Sequence, residues 1–324
     1  MNNITNVKCK LLTPSVGLTP SVGGWIVDTG WNCRQDGPGQ RAVIYLKGCN
    51  FACPWCAAPE TMAFYPEPLI RPKKCAAPER LAERCPLGAI GLRRDDDGNF
   101  HPVVDSSLCR DCCNRSCASV SWDGAIQLAG REVIADELVK HLARYRAFFG
   151  SEGGITLTGG EPTCQPDFAL ALLQGFKAEG IGTAVESNGS SSRFAEFIPL
   201  IDHFIIDLKH PDHEQHRRLT GCSNARTIAN IQAAADTGRP VWVRMPLLPG
   251  INDDTATLHR LADLLQDMPG NVAVELLPYH QRGICKWRLL GRDYALDDMP
   301  VPSEEQCCTA RTILADKGLR MVRA

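Results

Sequence analysis

No stretch of the chain approaches the roughly 20 consecutive apolar residues that a membrane span needs, and its first residues, MNNITNVKCK, lack the apolar segment of a secretory signal. A soluble, cytoplasmic protein with no membrane partner is expected. An excess of either charge is also missing, since 35 Lys and Arg stand against 37 Asp and Glu. That balance leaves no electrostatic footprint for a phosphate backbone and excludes nucleic acid as the main partner. Cysteine, by contrast, is plentiful. Sixteen cysteines occur in a 324-residue chain long enough to build a core without disulfide staples, and they cluster tightly. Clustered thiols in a reducing compartment point to metal.

From about residue 150 onward, short apolar runs alternate with helical spacing. The runs are ITLT (155–158), TAVES (183–187), FIIDL (204–208), VWVRMP (241–246) and VAVELL (272–277), with RAVIYLK (41–47) as an earlier sixth. Phe168, Leu172, Leu173 and Phe176 recur at helical spacing, and so do Leu258, Leu261, Leu264, Leu265 and Met268. Such alternation predicts an α/β protein whose parallel sheet is covered on both faces. Six units are too few for a complete eight-stranded barrel, and the pattern fits an open doubly wound sheet or an incomplete barrel equally. In both, reactive residues belong at the C-terminal ends of the strands, where Cys49, Gly159, Gly160, Glu161, Asn188, Lys209 and His280 fall. A Pro- and Cys-rich stretch of about 65 residues interrupts the alternation before the helix near 134–148. A structureless loop of that length is improbable in a compact domain, which predicts a small inserted domain.

The stretch KGCNFACPWC (47–56) places Cys49, Cys53 and Cys56 at spacing C-x3-C-x2-C directly behind the first apolar run. A four-iron cluster normally takes four thiolates, so three would leave one iron open. A structural zinc site, which prefers paired C-x2-C knuckles and a fourth ligand, or a set of scattered buried thiols would also use such residues. The other segments carry bland readings too. Gly-Gly after a strand is often a tight turn, Asp207 and Lys209 could be a simple ion pair, His280 a structural histidine and Arg244 a strand cap.

With Trp55 before its last cysteine, the loop resembles the signature of the radical S-adenosylmethionine (radical SAM) enzymes. DGPGQRAVIYLKGC (36–49), TLTGGEP (156–162), ESNG (186–189), DLK (207–209), RMPLLPGIND (244–253) and LLPYHQRGICKWRLLG (276–291) follow in the order found in one subfamily, the activating enzymes of glycyl radical enzymes. The resemblance spans about residues 24 to 297 and implies a partial (β/α)6 TIM-like barrel with an inserted ferredoxin-like iron-sulfur domain. It implies a 4Fe-4S cluster on Cys49, Cys53 and Cys56, whose open iron binds S-adenosylmethionine. Cofactor contacts are implied at Trp55, at Gly159, Gly160 and Glu161, at Glu186, Ser187 and Asn188, and at Asp207, Lys209, Arg244 and His280. The cluster loop departs from the family's usual His-Asn-Pro-Glu, having Ala57, Ala58, Pro59 and Glu60, without loss of a cluster ligand.

The family's insert resembles a two-cluster ferredoxin, with two C-x2-C-x2-C-x3-C-P runs that exchange their fourth cysteines. Here the first run reads Cys75, Pro78, Leu81 and Cys85, and the second Cys109, Cys112, Cys113 and Cys117. Cross-ligation leaves one complete set, Cys85, Cys109, Cys112 and Cys113, with Cys117 competing for the place of Cys113. One auxiliary 4Fe-4S cluster is expected, against the alternative that these six cysteines bind zinc or nothing. Cys9, Cys33, Cys164, Cys222, Cys285, Cys307 and Cys308 fit no pattern.

The domain reading is a leader (1–23), the first part of the barrel with the cluster loop (24–65), the insert (66–130) and the remainder of the barrel (131–324). The activity implied is anaerobic radical chemistry by a monomer. Flavodoxin or ferredoxin supplies an electron, S-adenosylmethionine is cleaved, and a hydrogen is taken from a backbone glycine of a partner glycyl radical enzyme. A radical SAM enzyme acting on a small molecule or peptide is the second reading, and an iron-sulfur electron carrier the third.

Overall fold

The six apolar runs become six parallel strands. A computed structural model of the chain describes residues 21–31, 33, 35–94, 98–112, 114–119 and 121–322. Most of the expected leader, with Cys9, lies outside the described residues, as does Cys113. The first half runs through β1 (Gly23–Trp31), β2 (Arg41–Leu46), β3 (Glu67–Ile70), α1 (Pro78–Arg84), β4 (Ile90–Arg94), β5 (Phe100–Val104), β6 (Ile126–Ala129), β7 (Arg131–Ile134) and α2 (Ala135–Ala143). There follow β8 (Gly154–Gly159), α3 (Pro166–Ala178), β9 (Gly182–Ser187), β10 (His203–Asp207), α4 (His213–Thr220), α5 (Ala225–Ala235), β11 (Val241–Leu247), α6 (Thr255–Leu265), β12 (Val272–Pro278), α7 (Ile284–Leu289) and α8 (Glu304–Asp316).

Strands β2, β8, β9, β10, β11 and β12 lie side by side in that order, all parallel. This is a partial (β/α)6 barrel, two units short of closure. Beyond β2 the sheet continues antiparallel through β1 and β7, an extension the helix–strand alternation did not foresee. The strands read as unbroken apolar runs because helices cover the sheet, and each buried Leu, Ile or Phe contributes about 1.5–3 kcal/mol. Helix α3 buries Phe168, Leu172, Leu173 and Phe176, the four residues whose spacing announced it. Helix α6 is capped by Asp254, which accepts from the Thr257 amide at 2.9 Å, and ends at Leu265, so Met268 packs on the core from beyond the helix.

Residues 67 to 129 leave the barrel and form two antiparallel pairs, β3 with β6 and β4 with β5. Ile70, Leu81, Ile90, Val104, Ala125 and Ile126 bury one another in a core separate from that of the barrel. Leu81 stands at a position where the ferredoxin pattern has cysteine, and it is 3 % exposed within this core. Pro78, at the other such position, opens α1, where a missing N–H costs nothing.

Candidate active site

The cluster loop leaves β2 at Lys47 and is bound on both sides. The Gly48 amide donates to the Thr61 carbonyl at 2.6 Å, Cys49 to Met62 at 2.9 Å and Ala52 to Thr220 at 3.0 Å. From the outside, the Trp287 indole N–H donates to the Cys56 carbonyl at 2.9 Å, and Lys286 pairs with Glu60 at 2.5 Å. Glu60, the last residue of the departing Ala-Ala-Pro-Glu stretch, thus anchors the loop to α7.

Cys49, Cys53 and Cys56 open onto a cavity of about 300 Å³ at the C-terminal ends of the barrel strands. Facing them are Gly159 at the end of β8 with Gly160 just beyond it, Glu186 on β9 with Asn188 just beyond that strand, and Asp207 at the end of β10 with Lys209 two residues on. Trp55 forms part of the wall, and His280 stands exposed at the rim, its Nδ1 accepting from the Arg282 amide at 3.3 Å. Leu248 and Tyr279 also line the cavity and pack with Phe51, Trp55 and Tyr294 into an apolar collar. Sequence reading missed this collar, since nothing in a single apolar residue marks it as lining a site.

Three of the expected residues stand behind the cavity wall. Glu161 is fully buried and accepts from the Thr163 amide at 3.0 Å, the Thr163 hydroxyl at 2.6 Å, the Ser187 hydroxyl at 2.8 Å and the Asn188 amide at 2.7 Å. It clamps the ends of β8 and β9 together; Ser187 belongs to the same clamp. Burial raises its carboxyl above the usual range, and these four donors pull the other way. Arg244 is the third, 3 % exposed, with Glu275 at 2.5 Å, Glu186 at 3.0 Å and Asp36 at 4.0 Å, and it donates to the Gln35 carbonyl. Burial opposes charge on Glu186, but Arg244, the Thr158 hydroxyl at 2.8 Å and Lys209 together hold its carboxyl below the usual range. Asp207 pairs with Lys209 at 2.7 Å; burial leaves the Asp207 carboxyl raised despite that partner.

Gly160 is bare for a reason of its own. A Cβ there would meet the Gly48 carbonyl oxygen at 2.2 Å and the Thr61 oxygen at 2.9 Å, both backbone. The GGE segment therefore packs directly on the root of the cluster loop, and the Glu161 amide donates to that same Gly48 oxygen at 2.8 Å.

The donor set fits an iron-sulfur cluster. Burial pushes the Cys53 thiol up to about 12 and raises Cys49 and Cys56, so thiolates persist here only beside a bound cation. Three thiols arranged around one cavity suit a polynuclear iron-sulfur body. In the insert, Cys85, Cys109, Cys112 and Cys117 line one small cavity together with Arg115. Cys117, not only a competitor, shares this cavity with the other three, while Cys75 stands outside it.

Comparison with known proteins agrees with this geometry. The Radical SAM superfamily pattern matches residues 108–262, and that of the 4Fe-4S single cluster domain matches residues 35–83. The isethionate sulfite-lyase activating enzyme of Nitratidesulfovibrio vulgaris is 35 % identical over 278 residues, covering 83 % of this chain and 88 % of that one. The 4-hydroxyphenylacetate decarboxylase activating enzyme of Clostridioides difficile is 31 % identical over 306 residues, 91 % of this chain and 94 % of the other. The indoleacetate decarboxylase activating enzyme of Tractidigestivibacter scatoligenes is 30 % identical over 296 residues, 89 % and 93 % of the two chains. Near full-length similarity to three activators with different targets, on a barrel whose strand ends face a three-thiol loop, leads to one conclusion: the chain belongs to the radical SAM enzymes that activate glycyl radical enzymes.

Proposed function

We propose that the chain holds a 4Fe-4S cluster on Cys49, Cys53 and Cys56, binds S-adenosylmethionine beside it, and abstracts a hydrogen atom from a backbone glycine of a partner glycyl radical enzyme. The observation that carries this reading is the single cavity in which the three thiols face the ends of β8, β9 and β10. When bound, the reduced cluster and cofactor supply one chemistry, reductive cleavage to methionine and the 5'-deoxyadenosyl radical. The protein's own work is placement and exclusion of water.

Gly159 and Gly160 present bare backbone to the methionine end of the cofactor. Glu161 and Ser187 act as positioning residues that hold this edge against Asn188. Arg244 likewise positions Glu186, which with the Asp207–Lys209 pair forms the polar side of the cavity. His280 at the rim serves the adenosine. Trp55, Leu248 and Tyr279 keep water from the radical.

The reading extends to one auxiliary 4Fe-4S cluster on Cys85, Cys109, Cys112 and Cys117, supported by their common cavity. A flavodoxin or ferredoxin is the electron donor, and the chain acts as a monomer. Among the described residues no helix is long and apolar enough to cross a membrane.

The test is an anaerobic electron paramagnetic resonance spectrum of the reconstituted, reduced protein with S-adenosylmethionine and the glycyl radical enzyme encoded nearest its gene. A carbon-centred doublet that vanishes with Cys53→Ala is expected. Accumulation of 5'-deoxyadenosine with no doublet from any glycyl radical enzyme of the same genome would move the assignment to a small-molecule or peptide substrate.

A further inference from the structure

Helix α7 has two contrasting faces. Its inner face lies on the cluster loop. A Cβ on Gly283, just before the helix, would meet Ala57 Cα and the Cys56 carbonyl oxygen at 2.8 Å, and Trp287 bonds that same oxygen. Its outer face, with Cys285 and Arg288, forms one wall of an open groove of about 1170 Å³. The facing wall is the turn of the insert that carries Arg71, Lys73 and Lys74.

The groove is basic on a chain whose net charge is −2, so its sign is local rather than a property of the whole surface. Lys73 and Lys74 are exposed and make no ion pair among the described residues, and the Arg71 guanidinium donates to the neutral Gln127 side chain at 2.8 Å. Asp297 is the one acid in the lining among the described residues, and Arg288 already engages both its oxygens at 3.0 Å. Uncompensated cations around a groove attract an acidic partner and speed its encounter.

Position says which acidic partner. Hydrogen abstraction needs the reacting atoms about 3–3.5 Å apart, and α7 with Trp287 stands between the groove and the thiol cavity. A glycine loop seated here could not reach the cofactor. An electron needs no open passage, only closely packed atoms, and the groove is separated from Cys56 by a single helix hydrogen-bonded to it.

We propose that this groove between α7 and the insert is the docking surface of the acidic, one-electron donor protein. The inference rests on the proposed function and adds where that donor binds. One electron leaves the donor, which is oxidised by one equivalent, and enters the cluster held by Cys49, Cys53 and Cys56.

The test uses the cluster-loaded, full-length protein and reduced flavodoxin as the probe. The bimolecular rate of cluster reduction is read by stopped-flow absorbance, and affinity by anaerobic titration. In the wild type the rate should fall steeply as salt rises. The double charge reversal Lys73→Glu with Lys74→Glu should lower both rate and affinity about tenfold or more at low salt. Dithionite-driven formation of 5'-deoxyadenosine should be unchanged, as should donor binding by Lys140→Glu on α2, outside the groove. Unaltered flavodoxin binding and reduction in the double variant would overturn the assignment. So would a loss of glycyl radical yield under dithionite with donor binding intact, which would give the groove to the glycyl radical enzyme. Absence of dithionite-driven cofactor cleavage in the wild type would strike the proposed function instead, and the titration would still decide the groove.

Discussion

Asp36, in the turn that leads into β2, shows how neighbours set the charge of one residue. Burial, then Glu186, raises its carboxyl to about 6, with Arg244 pulling down and Glu275 up. The unfolded value is about 3.9, so the folded state holds this proton more tightly. Stability from this group is therefore complete below the unfolded value and is lost as pH rises through about 6. Between about pH 5.5 and pH 7.5, anaerobic thermal melts should show Asp36→Asn gaining on the wild type by roughly 1 kcal/mol. Parallel curves would mean that Asp36 titrates normally. Gly160 sets a steric limit rather than an electrostatic one. Gly160→Ala must push Gly48 and Thr61 away, displacing the cluster loop by a good fraction of an ångström. Formation of 5'-deoxyadenosine under dithionite should drop about 100-fold, with loop-bound iron retained. The sequence marked both residues through the DGPGQR and TLTGGEP segments, but neither the coupling of Asp36 to Glu186 nor the contact of Gly160 with Gly48 is local in sequence.

At the scale of elements, α7 and β3 bind the insert, the loop and the barrel to one another. Glu67 on β3 is fully buried and pairs with Lys47 at 3.4 Å and with Arg292 just after α7, while Lys47 also donates to the Glu60 carbonyl at 2.7 Å. Glu67→Ala would leave the buried Lys47 ammonium without a counter-charge and should cost about 3–5 kcal/mol in anaerobic unfolding. A loss within experimental error would show that the site hydrates on truncation. Trp287→Phe keeps the ring beside Tyr294 but removes the hydrogen bond to Cys56, worth about 1 kcal/mol. Chelators should then strip the loop-bound cluster roughly fivefold faster, and an unchanged rate would place the constraint on Cys56 elsewhere.

On the scale of the whole molecule, the proposal of one auxiliary cluster becomes a count. Anaerobically reconstituted protein should contain about eight iron and eight sulfide per chain, at four per cluster. Cys112→Ala and Cys117→Ala should each fall to about four. About twelve in the wild type would mean a second auxiliary cluster despite Pro78 and Leu81. Sequence alone determined the six parallel strands, the inserted domain and the three-thiol loop, because strand period, cysteine spacing and segment order are all written within short windows. Only the tertiary structure decided which residues share a space. It put Glu161, Ser187 and Arg244 behind the cavity wall, brought Cys117 together with Cys85, and set Lys73 and Lys74 across a groove from Arg288. Those relations join residues tens to hundreds of positions apart, and they are fixed by packing and charge pairing across elements, which no local pattern encodes.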